Sequence, residues 1–583
     1  MKNLTVGLRH LRAQHSFGRH SIGALWIMLA ALCGVANPAR CAAQESSTPV
    51  KIVVNASQRE GQLEPIWNNF GYDEPNYTYA PNGKKLLREL AALSSEPVHI
   101  RAHNFFTSGD GTGSLKWGST NVYTEDAEGK PIYSWTIVDR IFDTYHELGI
   151  KPLVEIGFMP EALSTHPEPY RHNFPKGTIF TGWAYPPKDY RKWGELVFQF
   201  VAHLRERYGE AETKSWRWEI WNEPDIEYWK GTPEEYFQLY DVSTAAILRA
   251  LPGADVGGPD TTGPAAPNAA AFLKEFLEHC AHGNNFATGK AGSPLDFVSF
   301  HPKGTTKWVD GHVEMGLARQ LASIDAGFRI VASLPKYRQM PIVLGESDPE
   351  GCAACSARVY PQNGYRNRPQ YASYTAATLG AIYELAQREG IRFAGAVTWA
   401  FEFEGQPYFE GFRALATNGI DKPIVNLFRM FGLLGSERVN ATSSGGLSAD
   451  AILKGGVRGQ PDINVIAARK EHEVEILIWN YHDDDISIAP SQVELQVNGL
   501  PAAGQRASVE HFRIDDQHSD AFTAWKAMGS PEKPTSEQYE QLERAGQLQL
   551  LKSPGFVNLK EGAAHLEFTL PREAVSLVRI AWE

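Results

Sequence analysis

Two glutamates sit where apolar runs stop. Glu223 closes the run in "WRWEIWNEPD" (216–225), directly after Asn222 and directly before Pro224, and Glu346 closes the run in "PIVLGESDPE" (341–350). Two carboxylates facing each other across a cleft are what glycoside hydrolysis requires. One attacks or stabilises the oxocarbenium-like carbon while the other protonates the departing oxygen. In that division Glu223 is the acid and base and Glu346 the nucleophile. The acid needs apolar surroundings and a neighbouring carboxylate to keep its proton, a setting that Trp221 and Pro224 fit. The nucleophile needs donors, which Arg101 and His103 in "VHIRAHN" (98–104) can supply.

A lone glutamate at the end of a run is ordinarily a surface or ion-paired residue, so the argument rests on the joint placement. Asn222 adds an amide able to hold the sugar hydroxyl at C2, where hydrogen bonds strengthen in the transition state. Trp399 is a stacking face for a sugar, or else a core residue. His103 and His301 divide between contact with substrate hydroxyls and structural hydrogen bonding.

These residues need a frame that brings strand ends together. Eight runs read as strands: 65–73, 98–104, 152–158, 216–222, 254–259, 296–301, 341–346 and 395–402. Helical periodicities lie between them. In "YRKWGELVFQFVAHLRERYG" Trp193, Leu196, Val197, Phe200 and Leu204 keep spacings of three and four, so one face packs inward. "TPEEYFQLYDVSTAAILRAL" opens on Thr232 as N-cap with Glu235 in the capping-box position, and "YTAATLGAIYELAQREG" stops at Gly390. Eight such units predict an α/β fold, a (β/α)8 TIM barrel over 63–435, whose active site lies at the C-terminal strand ends. The residues there are Asp73, His103, Asn104, Glu155, Asn222, Glu223, His301, Glu346, Trp399 and Glu402. A doubly wound sheet competes, but no Gly-rich phosphate loop follows the first strand. From 436 to 583 short alternating runs such as "VEILIWNYH" and "VELQVNGL" predict a C-terminal β-sandwich, which the strand in 44–62 joins.

Residues 1–43 read as a secretory signal: Arg9, Arg12 and Arg19, then the apolar "IGALWIMLAALCGVA", then small residues before Gln44. The apolar run is short of the roughly 20 residues that span a bilayer. Leu32 and Arg40 are poor neighbours for lipid attachment at Cys33 and Cys41. The expectation is an exported protein, periplasmic or extracellular, with no membrane insertion after cleavage. A net charge of -12 without a basic run beyond the N-terminus excludes a nucleic-acid partner and suits an uncharged polymer. Of the remaining cysteines, Cys352 and Cys355 in "CAAC" either close a small disulfide loop or stay as thiols, with Cys280 free. Three cysteines without a second close pair do not make a zinc site, and no metal or cofactor is expected.

"WRWEIWNEPDIEYWKGTPEEYFQLYDVSTAAILRALPGADVGGP" resembles the acid/base segment of glycoside hydrolase family 39, the family of β-xylosidases and α-L-iduronidases. "VHIRAHNFF", "KPLVEIGFMPEAL", "DKPIVNLFRMFGLLG", "LIWNYHDDD" and "HFRIDDQHSDAFTAWKAMGSPEKPT" extend the resemblance over essentially the whole mature chain. It implies a barrel joined to a β-sandwich, retention through a covalent glycosyl-enzyme, Glu223 as acid/base, Glu346 as nucleophile, and no cofactor. The reading is an exo-acting β-xylosidase on plant-wall oligosaccharides. "GESDPEGCAAC" departs from the xylosidase pattern toward iduronidases, and Lys303 in "FHPKG" resembles a lysine that reaches the uronate carboxylate there. Arg413 is a candidate second cation, unless it and Lys303 pair with Glu402, Glu404 or Glu410. The loop 350–370 leaves an arabinosidase open. A carbohydrate-binding protein on a retired barrel is the remaining alternative, against which both carboxylates are present.

Overall fold

The structure, a computed structural model, describes residues 48–172, 179–180, 182–501 and 506–582. The segment read as an export signal lies outside them. Eight parallel strands, Asn69–Tyr72, His99–Ala102, Lys151–Ile156, Arg217–Ile220, Asp255–Thr262, Phe297–His301, Ile342–Leu344 and Phe393–Trp399, pair in chain order. The eighth returns to the first through Val397 opposite Asn69, closing a TIM barrel. All eight expected runs are barrel strands.

The period of two along a strand sorts each one into an outer and an inner face. Ile100, Val154, Val298, Phe300 and Ile342 join the large core shared with the helices, whereas Leu153, Phe297, Val343, Val397 and Trp399 form a separate apolar layer. Also on the barrel strands stand Arg101, Glu155, Glu219 and Ser299, all fully buried. The barrel therefore changes from apolar to charged as its C-terminal end is approached. Gly71 permits the change, since a Cβ there would lie 2.3 Å from the Trp399 ring.

The helices form for local reasons. Tyr190–Tyr208 is capped by Asp189, which accepts from the Arg191 and Lys192 amides, and buries Trp193, Leu196, Val197, Phe200 and Leu204. Pro233–Ala250 has the full Thr232/Glu235 capping box. Pro369–Glu389 ends where Gly390 turns left-handed, with φ 64°.

Val50–Gln62 and strands between Glu437 and Ala581 make one mixed, curled sheet in which Val50–Gln62 is an inner strand. It runs parallel to Ser491–Asn498 on one side and antiparallel to Glu437–Ser443 on the other. The layers of this domain come from one continuous sheet, because Ala507 and Val509 near one end share an apolar core with Leu495, Val497 and Ala564 near the other. Alternation again divides the labour. Ile476 and Ile478 face that core, while Leu477, Trp479 and Tyr481 pack into the barrel's core.

Candidate active site

Arg101 is the hub of the barrel mouth. It is fully buried, with Nε 2.6 Å from Glu219, Nη1 3.4 Å from Glu346, and Nη2 2.9 Å from Glu155 and also paired with Asp260. Nη2 donates to Asn222 Oδ1 at 3.2 Å, and the guanidinium lies 4.9 Å from the Trp399 ring centre. A buried cation needs such compensation, and the guanidinium fork provides it in several directions at once.

His103 follows the end of the same strand, 3.2 Å from Asp73 and 3.0 Å from Glu155. Burial pulls its pKa down, but Glu155 and Asp73 outweigh burial and raise it to about 9. Lys116, from the loop after that strand, holds both Asp73 oxygens at 2.8 Å. Burial would raise Asp73, yet Lys116 and His103 keep it well below the usual carboxylate range.

Glu346 follows the seventh strand. Burial pushes its pKa up, and Lys303, His301, His103 and Arg101 overcome burial and hold it well below the ordinary value. Lys303 is directly ion-paired with it, His103 lies at 3.5 Å and His301 at 3.7 Å. The result is a carboxylate that favours its ionised form in a donor-rich pocket. Glu223 follows the fourth strand in left-handed backbone, φ 44°, and its oxygen lies 2.8 Å from His301 Nδ1. An oxygen of Glu223 and one of Glu346 lie within 4.8 Å of each other. Trp221 faces away from the cavity. It packs on Phe158 and Trp229, and donates to the Tyr228 carbonyl at 3.0 Å.

Both glutamates open into a cavity of about 970 Å³, lined also by Asn222, His103, His301, Lys303, Tyr170 and Tyr228. Its far wall is the loop after Glu346, where Cys352 and Cys355 are disulfide-bonded and Cys280 is a buried free thiol elsewhere. Two of the residues read as substrate contacts stand elsewhere. Trp399 is 1% exposed in the apolar layer, with its ring 4.5 Å from His103 and Nε1 donating to Asp73, so it supports the floor and offers no face to a sugar. Arg413 is fully buried behind the wall. It donates to the Trp399 and Glu350 carbonyls and lies 3.3 Å from the Glu350 carboxylate and 3.6 Å from Asp348. Its charge is consumed in holding the loop. Lys303 pairs with Glu346 and sits 3.7 Å from Asp348, and none of Glu402, Glu404 or Glu410 is its partner.

Lys116 and Asp260 escaped the reading of the strand ends. Lys116 belongs to a loop without periodicity. Asp260 lies beyond Pro259, where the run seemed to end, although the strand continues to Thr262.

Comparison with known proteins agrees with this chemistry. The profile described as "Glycosyl hydrolases family 39" matches residues 50–551. The chain belongs to glycosyl hydrolase family 39. It is a glycosidase, and its substrate is a carbohydrate. A β-xylosidase of Caldicellulosiruptor saccharolyticus is 28% identical over 538 residues, covering 91% of this chain and 98% of the relative. An α-L-iduronidase of Mus musculus is 24% identical over 538 residues, covering 85% and 76%. The crystal structure of a monomeric β-xylosidase from Caulobacter crescentus CB15 shares the fold, with a TM-score of 0.70 and 22% identity, covering 91% of this chain and 99% of that one. Among the described residues no helix is long and apolar enough to cross a membrane.

Proposed function

We propose that this family 39 glycosidase is an exported, retaining, exo-acting enzyme of the β-xylosidase type, releasing terminal sugars from plant-wall oligosaccharides by double displacement. The observation that carries the reading is the spacing of the carboxylates. One oxygen of Glu223 lies within 4.8 Å of one of Glu346, which is compatible with carboxyl groups about 5–5.5 Å apart as in retaining enzymes, against about 6.5–9.5 Å in inverting ones. Glu346, ionised and ringed by cations, attacks C1. Glu223 gives its proton to the departing oxygen and later takes one from the incoming water. Asn222, held by Arg101, presents its amide to the C2 hydroxyl.

A neutral sugar is favoured because the charge of Lys303 is shared by Glu346 and Asp348, and Arg413 does not line the cavity. The uronide reading keeps one supporting observation, the position of Lys303 in the cavity wall beside Glu346. Nitrophenyl β-D-xyloside, α-L-arabinoside and an iduronide assayed side by side separate the readings. The xyloside is expected to be cleaved with the highest kcat/KM. Cleavage of the iduronide alone overturns the choice of sugar and leaves the carboxylate pair in place.

A further inference from the structure

Double displacement moves one negative charge between the two carboxylates. At the start Glu346 carries it and Glu223 holds a proton. Once the proton has passed to the leaving oxygen and Glu346 has become an ester, the charge sits on Glu223. A cation that is to serve both states must lie between them and stay charged.

His301 has that position. Its Nδ1 is 2.8 Å from Glu223 Oε1 and 3.7 Å from Glu346 Oε1, and its Nε2 is 2.6 Å from Asp260 Oδ2. Both His301 and Asp260 are fully buried. Asp260 is paired with Arg101 through the same oxygen, and its backbone carbonyl accepts from the Glu223 amide at 3.0 Å, so the three residues are tied together. Gly345, immediately before the nucleophile, makes room for the pair. A Cβ there would lie 2.2 Å from Asp260 Oδ1 and 2.9 Å from His301 Nε2.

We propose that the Asp260–His301 pair is a fixed countercharge shared by the two catalytic carboxylates, serving Glu346 before proton transfer and Glu223 after it. By occupying Glu223 Oε1 it also assigns the transferable proton to Oε2. This rests on the double-displacement reading above.

In the first step the Glu223 Oε2–H bond breaks and the proton goes to the glycosidic oxygen. That oxygen keeps the electron pair of the broken C1–O bond, and Glu346 forms the new C1–O ester. The imidazolium stays in place and now faces a full carboxylate at Glu223. In the second step water adds to C1, its proton passes to Oε2, the ester breaks, and the charge returns to Glu346. His301 keeps both protons throughout. Burial pulls its pKa down, but Asp260 and Glu346 outweigh that and raise it to about 10. Asp260 does not line the cavity, so it is a positioning residue that acts through His301.

The test is a leaving-group comparison in His301→Gln and Asp260→Asn. kcat/KM is measured on two aryl glycosides of the sugar preferred in the panel. One carries 2,4-dinitrophenolate, which departs without a proton, and the other an unactivated phenolate that needs the acid. The ratio of activated to unactivated kcat/KM is expected to rise on the order of 10²-fold in His301→Gln and about 10-fold in Asp260→Asn. A burst of dinitrophenolate shows that a variant is folded and that Glu346 still attacks. An unchanged ratio in folded His301→Gln overturns the proposal, whether both rates fall together or neither falls. Glu223→Ala separates this failure from a wider one. If it raises the ratio while His301→Gln does not, only the countercharge falls; if it leaves the ratio unchanged, the assignment of Glu223 falls as well.

Discussion

The wall that carries Glu346 and the wall that carries Glu223 treat the same side chain in opposite ways. Glu346 is met by Lys303, His301, His103 and Arg101, projected from two strands and the residues just beyond each. Among the described residues Glu223 is paired with one cation, His301, and its side chain is the more open to the cavity, 13% exposed against 7%. On the double-displacement reading, the two roles follow from the different sets of fixed cations that the carboxylates face, since both are glutamates at equivalent strand ends. It also explains the burial of Arg101, His103 and Asp73 beneath the mouth. A cation can hold Glu346 ionised only if it is itself fixed by anions below.

Removing each side of the comparison breaks it differently. Glu346→Ala is expected to lower kcat on the order of 10⁵-fold whatever the leaving group, as measured by steady-state release of nitrophenol. Glu223→Ala is expected to cost about 10²–10⁴-fold on an unactivated glycoside and much less in the dinitrophenolate burst, and added azide should restore turnover. Lys303→Met removes one of the four cations at Glu346, so the carboxylate pKa rises. Activity requires the ionised form, so the acid limb of the kcat/KM profile should move to higher pH, with a loss of about 10-fold at neutral pH.

A smaller effect concerns stability. His103 and His301 bind protons more tightly in the fold, to about 9 and 10, than at the ordinary 6.5. Their stabilising contribution is complete below pH 6.5 and is lost as the pH rises through 9 and 10. The melting temperature should fall over that window, and His301→Gln should flatten the fall. The smallest effect is at the far wall. Changing both Cys352 and Cys355 to serine opens a four-residue loop worth about 2 kcal/mol, a shift of a few degrees at most. Arg366 and Arg413 still hold the loop's carbonyls at Cys352, Ala353, Cys355 and Glu350.

Most of the barrel was legible because its strands are short apolar runs ending in polar residues, and because alternation marks which residues face in. That Glu223, Glu346, Asn222, His103, His301 and Lys303 share one cavity was within reach of the sequence, since each ends a strand or follows one closely. Trp399 was placed too high. Alternation gives the face of a side chain and not its layer, and the space made by Gly71 on the neighbouring strand drew the ring down under His103. Arg413 was read as a cation for the substrate because nothing local shows that Asp348 and Glu350 lie against it. Lys116 comes from a loop, and Asp260 from a strand that continues past the proline at which the apolar pattern stops. The export signal lies outside the described residues and stays a proposal.

The central claim, that Glu346 is the nucleophile of a double displacement, is tested most directly by trapping. A 2-deoxy-2-fluoro glycoside with a dinitrophenyl leaving group, followed by peptide mass spectrometry, should place one sugar on the peptide containing Glu346. A label on another residue, or no label together with an inverted first-formed anomer, would contradict it.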